Sequence, residues 1–78
     1  MKFSIKFKTL GMTLFAGEVE AVKVESAKPR ATELLASRNV KKIDYAAILA
    51  EDGTEAALLN VARYNLPGRQ VEWLTVHK

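Results

Sequence analysis

From Lys2 to Lys8 the chain alternates strictly, with Phe3, Ile5 and Phe7 between Lys2, Ser4, Lys6 and Lys8. Period two, apolar and β-branched or aromatic on one side and polar on the other, predicts a half-buried strand. Gly11 follows as a turn, and Gly17 as a second break or bulge. Between Thr13 and Glu25 the pattern loosens: Val22 and Val24 fall on one strand phase, Val19 and Ala21 on the other. A bulge near Glu20–Ala21 would reconcile the two phases by one residue. A helix through Phe15, Val19 and Val22 competes, but Gly17 and the three valines weigh against it. A strand returning along the first, as a hairpin, is the favoured reading.

Ser26-Ala27-Lys28-Pro29 reads as a helix start. Ser26 can cap free backbone N–H groups, and proline is tolerated in a first turn because its missing N–H would have no partner there. Over roughly 27–38, Ala27, Ala31, Leu34, Leu35 and Arg38 share one helical face, while Arg30, Glu33, Ser37 and Lys41 share the other. Asn39 is suited to end the helix in a left-handed conformation.

The longest apolar segment runs from Ile43 to Tyr64 and can be read in two ways. As a hairpin it turns at Asp52-Gly53, a pair suited to a type I′ turn because both positions need positive φ. That register sets Leu49 against Ala56, Ala47 against Leu58, Ile48 against Ala57 and Ala46 against Leu59, large against small on both faces. The alternative makes residues 54–65 helical, with Thr54 as cap and Leu58, Val61, Ala62 and Asn65 at helical spacing. The hairpin is favoured. Leu66-Pro67-Gly68-Arg69 then fits a type II turn, which needs a fixed φ followed by a positive one. Alternation from Val71 to His77 predicts a final strand. The order is ββαβββ: one small α+β domain spanning 1–78, an antiparallel sheet of about five strands with one amphipathic helix. A single helix covers one face of such a sheet. The second face of the apolar central hairpin therefore calls for a partner.

Composition narrows the chemistry. With 78 residues the chain is shorter than the usual domain of roughly 100–200, and it buries only about 60% of its unfolded surface. Cysteine is absent, which removes disulfides, thiolate nucleophiles and Cys-based zinc sites together. No stretch approaches the roughly 20 apolar residues of a membrane span. The start, MKFSIKFKTLGMTLFAG, has too short and diluted an apolar core for a signal peptide, so a cytoplasmic setting is expected. Glycines stand singly, without phosphate-cradling spacing. His77 is the lone histidine and lies beside the C-terminus, and Ser4, Ser26 and Ser37 lack a nucleophile-elbow context. Glu18 and Glu20 would share a strand face, where they fit a solvated or lysine-paired role better than a cation site. No enzyme, cofactor, metal or small-molecule substrate is expected.

The net charge of +3 is unevenly spread. Residues 28–42 hold Lys28, Arg30, Arg38, Lys41 and Lys42 against Glu33, a net +4, and residues 43–60 carry a net −4. The basic block is enough for several phosphate contacts, which makes a small nucleic-acid-binding protein the alternative function. The clustered aromatics of an RNA-binding sheet are missing. The leading expectation is a non-enzymatic binding protein, an inhibitor or regulator of a larger protein or nucleoprotein complex. In size and layout it is like the small inhibitors that phages and mobile elements encode, a likeness of form and not of motif. Its partner would be another protein or a second copy. Arg63, Tyr64, Arg69 and Trp73, read as exposed residues of interface-anchoring types, are the candidate contacts.

Overall fold

The computed structural model describes residues 1–76. Five strands, β1 (Lys2–Thr9), β2 (Met12–Glu20), β3 (Tyr45–Leu49), β4 (Glu55–Leu59) and β5 (Trp73–Thr75), form one antiparallel sheet. Its order is β2-β1-β3-β4-β5. Helix α1 (Val24–Ser37) lies on one face, and a single turn, α2 (Val61–Tyr64), links β4 to β5. The class is α+β. β1 sits between β2 and β3, which the helix joins, so the chain leaves the sheet after β2 and re-enters on the far side of β1.

The alternation of β1 sends Phe3, Ile5 and Phe7 beneath the helix, where they are buried with Val19, Ala46, Ile48, Ala57, Leu59 and Trp73. The helix contributes Ala27, Ala31 and Leu35, as its face predicted. Small alanines on that face let helix and sheet approach closely. Gly17 marks the tightest point: a Cβ built there would lie 3.3 Å from Leu34 Cδ1, and its φ of +147° also favours glycine.

Several local expectations are corrected. The β2 bulge lies at Ala16, where the register steps from Ile5–Gly17 to Lys6–Phe15, and not near Glu20–Ala21. The helix begins at Val24, because the N–H groups of Ser26 and Ala27 already bond to the Lys23 carbonyl. Ser26 is therefore not the cap, and Pro29 falls in the second turn. Asn39 does end the helix left-handed, at φ +51°. The type I′ turn is at Leu10-Gly11, with φ of +52° and +76°, closing the first hairpin.

The central hairpin turns by a longer route. Gly53 alone takes positive φ, its N–H bonds to the Ala50 carbonyl at 2.9 Å, and Ala50 pairs with Thr54 at 2.8 Å. This is a three-residue loop with a glycine bulge. Ala47–Leu58 and Ile48–Ala57 pair as the sequence implied, but Leu49 now faces Glu55. The expected hairpin forms over Tyr45–Leu59; of the helical alternative for 54–65 only the single turn Val61–Tyr64 is helical, capped by Asn60 and not Thr54, with Asn60 accepting from the Arg63 N–H. The type II turn at 66–69 is present, with Gly68 at φ +91° and the Arg69 N–H 3.0 Å from the Leu66 carbonyl. β5 covers only Trp73–Thr75 of the predicted final strand, and His77 lies outside the described residues.

Candidate protein-docking edge

The face of the sheet away from the helix can be followed strand by strand. One row runs Phe15, Lys6, Ala47, Leu58, Leu74 across all five strands. Ala47 is nonetheless 0% exposed, and Lys6, Leu49 and Leu58 are half-buried. Alanine is short enough for the longer side chains of its neighbours to close over it. The apolar surplus expected on the central hairpin is thus covered largely by the sheet's own side chains, so burial there does not require a partner.

Exposed apolar surface collects elsewhere. Leu10, Met12, Leu14 and Phe15 are 86%, 55%, 41% and 58% exposed, all within the first hairpin. Met12 and Leu14 pair with Thr9 and Phe7, and Phe15 pairs with Lys6, so apolar groups flank the strand on both faces. β2 is the edge of the sheet. Its carboxyl half is partly closed: Arg38 Nη2 donates to the Ala16 carbonyl and Arg30 Nη1 to the Glu20 carbonyl, each at 3.2 Å. No side chain among the described residues bonds to the backbone of Met12–Phe15. Long edge strands normally carry charges, prolines or covering elements against unwanted pairing. This stretch has none, and Thr9–Gly17 contains no charged residue at all.

Cations stand around it. Lys6 and Lys8 lie opposite Phe15 and Thr13 on the open face, and Lys8 Nζ sits 5.6 Å from the centre of the Tyr45 ring. Beyond the helix, Thr9 Oγ1 donates to the carbonyl of Lys42 at 2.8 Å, placing the 38–42 segment beside the hairpin. Lys41 and Lys42 are exposed, and no side-chain partner for either is found among the described residues.

The candidates drawn from sequence are placed as follows. Tyr64 and Trp73 are 3% and 7% exposed, which corrects the expectation that they are surface anchors. The Tyr64 hydroxyl donates to the Val40 carbonyl at 2.8 Å, and Trp73 Nε1 donates to Thr32 Oγ1 at 3.0 Å. Arg69 stacks on the Tyr64 ring at 4.6 Å and donates to the carbonyls of Val40 and Lys41, tying down the loop after α1. Arg63 holds Gln70 at 3.0 Å and Glu72 at 3.5 Å. Arg63 and Arg69 do line a depression of about 420 Å³, with Leu66, Pro67, Gly68 and Gln70, but both arginines are already engaged.

The basic block is also divided. Lys28 bonds to Glu25 and Thr75, and Arg30 and Arg38 turn to the β2 edge, so only Lys41 and Lys42 of the five have no side-chain partner among the described residues. Bonds from Thr75 and then Lys28 hold the Glu25 carboxyl below its ordinary range. The structure does not gather the five into one phosphate-binding face. Among the described residues no group of three or more His, Asp or Glu could hold a metal, and no helix is long and apolar enough to cross a membrane.

Sequence reasoning does not find the exposed β2 edge, because Phe15 and Val19 serve there only to distinguish strand from helix. The usable signal was the uncharged run from Thr9 to Gly17, with large apolar residues on both strand phases. Comparisons with family models, curated proteins and solved structures find no match to the chain.

Proposed function

We propose that the protein is a non-enzymatic binding protein that docks on another protein through its first hairpin, as an inhibitor or regulator would. One observation carries this reading: among the described residues, four of the eight exposed large apolar side chains, Leu10, Met12, Leu14 and Phe15, lie together on the first hairpin along an unpaired strand edge. Leu10 adds support. It holds a left-handed conformation that costs an L-residue roughly 1–2 kcal/mol, and it leaves its side chain in solvent. Such a residue is poor for folding alone and well placed for contact.

The test is capture from an extract of the native host, using tagged wild type beside the double variant Leu14→Ser/Phe15→Ser. A protein retained by wild type and lost from the variant, with circular dichroism and melting temperature unchanged, supports the reading. If both capture the same set, the hairpin is not the docking surface and the reading fails.

A further inference from the structure

Deepening that reading, on which it rests, we infer that the outer edge of β2 over Met12–Phe15 accepts an extended, acidic segment of the partner as a sixth strand. Three features converge on this occupant. The first is the open edge itself. A strand edge offers N–H and C=O groups at the spacing of another polypeptide, and strand addition uses those groups for affinity and alternate side chains for specificity. The guanidinium groups of Arg30 and Arg38 occupy carbonyls of the carboxyl half. The amino half, over Met12–Phe15, is the part left to pair.

The second feature is the apolar flank. Met12 and Leu14 on one face and Phe15 on the other give an added strand apolar neighbours on both of its sides. The third is charge. In residues 1–16 and 38–44 the ionic side chains are Lys2, Lys6, Lys8, Arg38, Lys41 and Lys42, with Asp44 the single acid. Lys6 and Lys8 stand one strand in from the edge on the open face, Arg38 reaches the edge itself at the Ala16 carbonyl, and Lys42 lies against Thr9 at the neighbouring end of β1. An incoming strand that alternates acidic and apolar residues meets cations and hydrophobic groups together. A basic segment meets repulsion on both faces.

A second copy of the chain would bring two such cationic borders together. A nucleic acid would use the lysines, but it has no use for an open backbone edge flanked by Leu and Met. It would also find only one exposed aromatic near the edge, Phe15, on which to stack a base.

The probe is a fluorescein-labelled ten-residue peptide alternating Glu with Val, titrated by anisotropy into the full chain. Its Lys-for-Glu counterpart, a single-stranded DNA and a duplex serve as comparisons. Binding of the acidic peptide is expected, weaker by about tenfold or more on raising salt from 50 to 500 mM. Lys6→Glu/Lys8→Glu and Leu14→Ser/Phe15→Ser should each weaken it by about fivefold or more, while Lys23→Glu, at the other end of β2, leaves it unchanged. In the amide NMR spectrum, the resonances of Met12–Phe15 should shift and gain protection from exchange.

No binding, equal binding of the basic peptide, or DNA binding tighter than peptide binding overturns the inference. So does a dimer in sedimentation that Leu14→Ser/Phe15→Ser dissociates. These outcomes are separate from the capture test. Hairpin-dependent capture with a silent peptide removes strand addition and keeps the protein-binding reading; loss of hairpin dependence in capture removes that reading itself.

Discussion

The two hairpins of this sheet have similar apolar content and opposite fates. The central one, β3 and β4, pairs with β1 on one side and β5 on the other, so its backbone is fully enclosed by strands. Helix α1 covers Ile48 and Ala57 on one face, and neighbouring side chains close over Ala47 on the other. The first hairpin is enclosed through β1 alone. β2 stays at the edge, and its tip leaves Leu10, Met12, Leu14 and Phe15 in solvent. Whether an apolar residue is buried in the core or left in solvent is therefore set by where its strand falls in the sheet order. Hydrophobicity along the chain does not decide it.

The largest test of that contrast is to shorten one residue in each hairpin. Ile48 is fully buried against the helix, so Ile48→Ala should cost about 2–5 kcal/mol through lost burial and the cavity left behind. Phe15→Ala removes a bigger side chain yet should change stability by no more than about 0.5 kcal/mol, because that side chain is mostly in water already. Urea denaturation of both variants checks the pair. Comparable losses would mean that the first hairpin carries core, and the docking reading would lose its ground.

A second, somewhat smaller effect is expected where the chain enters the central hairpin. The Asn65 side chain accepts from the Ile43 N–H at 3.0 Å and donates to the Ile43 carbonyl at 2.8 Å, as a neighbouring strand would. Asn65→Ala leaves both groups unmatched, and a loss of about 1–3 kcal/mol is expected. Asn65→Asp should restore only the acceptor half and fall between alanine and wild type. Equal stability of all three would show that water replaces the side chain there.

What could be read from sequence was what local chemistry decides. Strict alternation over Lys2–Lys8 has one physical solution, and so does the apolar stripe Ala27, Ala31, Leu35 on a helix. Pro67-Gly68 fixes two dihedrals in succession, and the turn follows. The failures share another cause. Asp52-Gly53 has the residues of a type I′ turn, but Asp52 Oδ1 accepts from the Thr54 N–H at 3.0 Å and the loop widens to three residues. Leu10 has no turn preference, yet the pairing of β1 with β2 forces it to one. The placing of β3 beside β1 rather than β2 is a long-range outcome of the helix crossing, and it alone makes β2 an edge. Residue type alone points to Tyr64 and Trp73 as interface anchors; the turn of α2 and the short β5 carry both inward. The exposed apolar edge of β2 is illegible for the same reason: exposure is a property of the assembled sheet.

Leu10→Asn reverses the sign. Asn-Gly suits the type I′ turn that Leu10-Gly11 already makes, so about 1 kcal/mol of stability should be gained from relieving the left-handed leucine. Thermal melting checks this. If Leu10 is kept at the tip for contact, the same variant should capture its partner less well while melting higher. A variant that gains neither stability nor loses capture would leave the strained leucine without either role.

The smallest effect lies where the two hairpins meet. The Tyr45 hydroxyl donates to the Glu55 carboxylate, joining β3 to β4, while Lys8 of the first hairpin lies over the Tyr45 ring. Burial, and then the bond to Glu55 and its charge, push the Tyr45 hydroxyl up from 10.0 to about 12. A folded-state value above the unfolded one means the hydroxyl contributes its full stability below pH 10. That contribution is lost as pH rises from there through about 12. Unfolding measured from pH 9 upward should therefore show a decline in wild type that is shallower in Tyr45→Phe. Ultraviolet titration should find one tyrosine ionising late in wild type and missing from the variant. If the pH dependence of Tyr45→Phe matches wild type, this bond adds nothing to the central hairpin, and its firmness rests on Ile48, Ala47 and the strands on either side.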